Sequence, residues 1–143
     1  MIDSPACRDT VALDRVESMR LLASVPIGRV VFTSNALPAV RPVTHLVDDH
    51  GAIIVRTRLS SGLTTAVRGN SPMVLAYEAD EIDPVQHLGW SVVVVGLAHT
   101  VTDPRRIAHY EQLLRPWACR EPDAVIAIEP DLVTGIRLVE NGR

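Results

Sequence analysis

The chain contains no lysine; all 14 of its basic residues are arginine. That excludes a lysine Schiff base and a lysine nucleophile, and the lysine of a phosphate-binding glycine-rich loop. Aromatic residues are scarce too: Phe32, Tyr77, Trp90, Tyr110 and Trp117 are the whole set. A base-stacking platform for single strands needs more. Cys7 and Cys119 are too few for a metal cluster or a disulfide framework. They read as two reduced thiols, with one bridge between them as the alternative. A net charge of −3 gives no general attraction to nucleic acid. Apolar runs such as Val92 to Val95 fall far short of the ~20 residues that span a bilayer. The N-terminus, MIDSPACRDT, has no basic segment followed by an apolar one, so no signal peptide is expected. These absences point to a cytoplasmic protein without a nucleic-acid or membrane partner.

What is present is apolar and β-prone. The 143 residues suit one domain, and 20 of them are valine, which favours pleated, half-buried surfaces. Residues 1–12 read as a flexible N-terminal arm and 13–143 as a single domain. Asp14 with Glu17 resembles a capping box, and Leu13, Val16, Met19, Leu22 and Ala23 form one stripe, so 14–24 reads as an amphipathic helix. Strands are expected at 28–33, 38–47, 52–58, 72–80, 90–101, 125–130 and 132–139. Short helices are expected at 60–69 and from Asp103-Pro104 to Pro116. Hairpin-spaced strands outnumber crossover helices, which argues for a mainly β (α+β), mostly antiparallel barrel with helices outside it.

The hairpin around 48–51 carries the most chemistry. With Val47 opposite Ala52, Arg41 falls opposite Arg58, Val43 opposite Arg56 and His45 opposite Ile54. Arg41, His45, Arg56 and Arg58 then share one face. Like charges so placed repel and call for water, carboxylates or a bound anion. Ser60 and Ser61 open the next helix, and a helix start with arginines beside it suits a phosphate. The alternative is a solvated arginine face with an ordinary serine cap. The run Glu78, Asp80, Glu81 and Asp83 reads as a solvated turn between strands, with a catalytic carboxylate cluster as the alternative. The histidines show no metal-ligand spacing, so no metal is expected.

GRVVFT, LPAVRPVTHLVDDHGAIIVRTR with SSGL, GWSVVVVGLAHTV, LRPWA and LVTGIRL, in this order, resemble the pyridoxamine 5′-phosphate oxidase-like superfamily of FMN-binding split β-barrels. The resemblance spans residues 13–139 and is strongest to short flavin- and deazaflavin-dependent oxidoreductases. It implies a six-stranded split barrel, a homodimer and flavin sites at the dimer interface. It assigns phosphate contacts to Arg41, Thr57 and Ser61, with Arg56, Arg58 and Ser60 as helpers and Val43 and Thr44 beside them. Relatives carry a basic residue after the serine; Gly62 stands there here, with Arg58 or Arg68 as substitutes. Trp90 is placed either near the flavin ring or the interface, or in the core. Trp117 reaches the partner's pocket or covers a helix end. His45 is the one candidate proton donor. The implied function is hydride transfer from FMN, or a deazaflavin, to a small organic acceptor. The alternative is a non-catalytic module that stores or senses flavin or haem.

Overall fold

The computed structural model describes residues 7–58, 62–67, 72–115 and 123–141. Among them, the strands are β1 (Asp9–Leu13), β2 (Ile27–Ser34), β3 (Leu37–Val47), β4 (Ile53–Arg58), β5 (Met73–Ile82), β6 (Gly89–Thr100) and β7 (Asp123–Val139). The helices are α1 (Arg15–Ala23), α2 (Gly62–Val67) and α3 (Pro104–Leu113). The sheet order is β1-β7-β4-β3-β2-β5-β6, and β7 also pairs with β6. That second pairing closes β2 to β7 into a six-stranded antiparallel barrel, with β1 added at its side. Closure removes the exposed edges that an open sheet would carry.

Inward-facing residues alternate along each strand, and the main core gathers Val30, Phe32, Val55, Tyr77, Val92 and Ile126. Leu21 and Leu22 of α1 and Leu63 and Val67 of α2 complete it. Asp14 caps α1 as its sequence suggests, accepting from the Glu17 amide at 2.8 Å. Arg15 then ties the helix to β7 through the carbonyls of Pro130 and Asp131. Helix α3 opens at Asp103, whose carboxylate accepts from the Arg105 amide. It packs on the outside of β4 and β7, where Tyr110, Leu114, Ile54, Val125 and Ala127 form a second core.

Three expectations change. The arm is not wholly loose: Asp9 to Leu13 pair antiparallel with Val139 to Gly135 as β1. The two C-terminal strands are one, β7, with a register shift against β6 where Val95 faces Leu132 and Gly96 faces Pro130. Asp131 is the extra residue of a bulge. Glu78 and Asp80 lie within β5 rather than in a turn. Only Asp83 behaves as turn chemistry, accepting from the amides of Val85 and Gln86.

Candidate functional site

Strands β3 and β4 pair only through His45↔Val55, Leu46↔Ile54 and Val47↔Ile53. Upstream, β3 continues against β2; downstream, β4 continues against β7. The two strands therefore part between residues 44 and 56. Arg41, Val43, Thr44, Arg56, Thr57 and Arg58 all flank this opening.

The register differs from the expected one by one residue. Asp48 and Gly51 cause the shift: Asp48 Oδ1 accepts from the amides of His50 and Ala52, and Gly51 takes a positive φ of 86°. The turn is one residue longer, so Val47 meets Ile53 rather than Ala52. A slip of one residue exchanges the faces. Arg41 and His45 now share the inward side with Val55 and Thr57, while Arg56 and Arg58 point outward with Ile54. The single-face arginine cluster is thus corrected.

Each candidate then has its own setting. Arg56 is committed to the scaffold. Its Nη2 lies 2.7 Å from Asp123 Oδ2, and its Nη1 donates to the Leu114 carbonyl at 2.6 Å and the Glu111 carbonyl at 3.3 Å. A guanidinium there also complements the negative end of α3. Arg41 differs: it is exposed, and among the described residues its guanidinium donates to the Val40 carbonyl alone and forms no salt bridge with a carboxylate. Val43 is buried in the core, so its backbone rather than its side chain borders the opening. Thr44 is half-buried on the outer side. Gly62 begins α2 beside the end of β2; a Cβ there would meet Ser34 Oγ at 3.6 Å and Phe32 at 3.9 Å, ordinary contacts. Ser60, Ser61, Arg68, Trp117 and Cys119 lie outside the described residues. Cys7 is exposed and free.

Trp90 is 5 % exposed and belongs to the main core, which decides between its two readings in favour of packing. His45 is equally buried, at 5 %. Its Nε2 is 2.8 Å from the Leu22 carbonyl, which can only accept, so Nε2 carries the proton and donates. Nδ1 is then an acceptor and takes a short hydrogen bond from the Tyr77 hydroxyl. Burial pulls the His45 pKa below its ordinary value and pushes that of Tyr77 up. A neutral ring with both nitrogens occupied inside the barrel holds structure in place and has no proton to deliver at the opening. The expectation of a proton donor is corrected accordingly. Tyr77 was not singled out in the sequence, although Gly28 marks its place: a Cβ at Gly28 would run into the Tyr77 ring.

A closed antiparallel barrel that parts between two strands beside a short helix defines the split-barrel class. Within that class the chain belongs to the pyridoxamine 5′-phosphate oxidase family, whose model matches residues 14–137. It is 56% identical over 140 residues to an uncharacterized protein of Mycobacterium tuberculosis, covering 96% of this chain and 91% of that one. A Corynebacterium glutamicum structure, provisionally named a pyridoxamine 5′-phosphate oxidase, superposes with a TM-score of 0.74 at 29% identity, over 99% of this chain and all of its own. The structure of an FAD-binding protein from Mycobacterium smegmatis gives 0.71 at 30% identity, over 87% of this chain and 97% of that one. Among the described residues, no helix is long and apolar enough to cross a membrane.

Proposed function

We propose that the protein is a flavin-type oxidoreductase that binds FMN, or a deazaflavin, at the parting of β3 and β4 and works as a homodimer with a small organic acceptor. The observation that carries this is Arg41: an exposed guanidinium that has no carboxylate partner among the described residues and shares one side of β3 and β4 with Thr57. Guanidinium suits a phosphate through paired, charge-assisted bonds. The similarity to an FAD-binding protein of M. smegmatis supports a flavin-type ligand. The residues present suit such a group chemically: the Arg41 guanidinium and the Thr57 hydroxyl stand on the same side of β3 and β4. When bound, a flavin supplies hydride chemistry. The chain's part is to hold the phosphate with Arg41 and Thr57 and to keep the barrel wall rigid behind it through the Tyr77–His45 pair.

The two-copy reading rests on the outer surface of β2, β5, β6 and β7. Val31, Ala76, Val95 and Leu132 stand in one row across these strands. Val74 and Leu132 are 63% and 64% exposed. An exposed apolar row of this kind marks an association surface, and α3 packs elsewhere, on β4 and β7. Titration of the purified chain with FMN and with a deazaflavin, followed by absorbance and fluorescence, tests the cofactor reading. Saturable binding of either at micromolar concentration is the expected result; none for either overturns it.

A further inference from the structure

Three charged side chains stand in the middle of that apolar face. Arg29 on β2 is directly opposite Glu78 on β5. Asp80 points to the same side as Glu78, and its Oδ2 lies 3.8 Å from Arg29 Nη1. On β6, Val93 is opposite Glu78 and Ser91 opposite Asp80; on β3, Pro42 is opposite Arg29. Asp80 and Arg29 are thus the charged groups that face Glu78 from the strands around it.

Glu78 Oε1 is buried and has no hydrogen-bond partner. Glu78 and Asp80 stand two residues apart on one side of β5, so their carboxyls are neighbours on the face that Arg29 shares. Two carboxyls bond only if one holds a proton. Burial first, and Asp80 second, push Glu78 up to about 7, with Arg29 pulling the other way.

We propose that Arg29, Glu78 and Asp80 form the pairing key of the face that takes a second copy, and that this face closes with one proton held between the two carboxyls. The inference rests on the two-copy reading above. With the proton in place the trio is neutral, one guanidinium against one carboxylate. Without it, each copy brings a net negative charge to the contact. A two-fold interface sets the same patch against itself, and a patch with its own cation and anion is its own complement. Covering the face removes more water from Glu78, so the proton is held more tightly in the pair than in the single chain. Association then takes up protons and weakens as pH rises through and above 7.

Sedimentation equilibrium of the full chain from pH 6 to pH 8.5, at fixed ionic strength, reads the dissociation constant of the pair. In the wild type it should rise by ~10-fold or more across this range, with two Glu78 carboxyls linked per pair. Glu78→Gln, neutral throughout, should hold it roughly constant. Asp80→Asn removes the neighbouring charge and should move the response to lower pH, which keeps the test open if Glu78→Gln does not fold. A wild-type pair whose dissociation constant ignores pH overturns the proposal and leaves the two-copy reading standing. A single-chain mass at every pH overturns that reading and the proposal with it. A pH response unchanged in both variants overturns the assignment to this trio.

Discussion

The Tyr77 hydroxyl donates to His45 Nδ1, and the opposite nitrogen of the same ring donates to the Leu22 carbonyl at 2.8 Å. A chain of two hydrogen bonds thus runs from β5 through β3 to the last turn of α1, inside the barrel. Low surrounding polarity strengthens each bond and makes a missing partner costly. Tyr77→Phe keeps the ring and deletes the donor, leaving Nδ1 buried and unsatisfied. It should destabilise the fold by ~1–3 kcal/mol, read by urea denaturation. A loss below ~0.5 kcal/mol would show that the hydroxyl is not holding the ring.

Two groups give the fold opposite pH responses. His45 has a depressed pKa when folded, so the unfolded chain binds the extra proton, and the stability it contributes is lost as pH falls below about 6.5. Glu78 has a raised one, so the stability it contributes is present below its ordinary value and lost as pH rises towards about 7. The difference between wild type and a variant isolates each. Glu78→Gln should steepen the fall in stability between pH 7 and pH 5.5, and His45→Gln should flatten it. Denaturation midpoints that shift equally with pH in all three proteins would refute the assignment.

Arg41 and Arg56 should separate cleanly. Arg41→Ala should weaken FMN or deazaflavin binding ~10–150-fold while apo stability stays within about 1 kcal/mol of wild type. Arg56→Ala strips Asp123 of its partner at 2.7 Å and α3 of a guanidinium on its last carbonyls. It should cost about 3 kcal/mol of stability. Calorimetry and urea titration on the same samples distinguish the two. Equal effects of both substitutions on binding and on stability would count against the division.

Gly62→Lys supplies the basic residue that the family resemblance leads one to expect after Ser61. The surroundings accept a side chain, since the nearest atoms are at 3.6 and 3.9 Å from a Cβ. Cofactor affinity should rise, and unchanged affinity would mean that another arginine already fills the role.

The β2–β3 turn holds Asn35 and Ala36 at φ of 51° and 62°. Two positive φ values suit a tight hairpin of this hand, but alanine there is strained by ~1–2 kcal/mol. Ala36→Gly should raise stability by up to ~1 kcal/mol, read as a melting-temperature increase of a few degrees. A decrease would show that the backbone entropy of glycine outweighs the relief.

Patterning made most of the barrel legible. Alternation in VVFT, in PVTHLV and in IIVRTR placed β2, β3 and β4 to within a residue or so of their ends, and Asp14 and Asp103 announced α1 and α3. β1 escaped because it is held by ladder bonds to β7 rather than by burial; four of its five residues are exposed. Arg41, Val43, Thr44, Arg56, Thr57 and Arg58 flank one opening, but the expected register set them on the wrong faces. The error came from a single turn, where the Asp48 carboxylate and the left-handed Gly51 together add one residue to the loop. Such side-chain-to-backbone bonds compete locally with the ladder, and hydrophobic pattern alone does not register them. Tyr77 and Arg29 escaped for another reason: their roles are defined by partners on other strands, which spacing along the chain does not reveal.

Strand β7 touches β1, β4 and β6, and its carbonyls anchor Arg15 of α1. It is also the last strand among the described residues. Its pairing with β4 joins residues 65 to 75 positions apart and its pairing with β1 residues 122 to 130 apart, and such long-range pairings form late. A nascent chain emerging from the ribosome carries β2 to β6 as an open, valine-rich sheet until Asp123 to Val139 have been made. Its safety in the cell depends on the seventeen residues of β7 arriving before another chain finds the same edge.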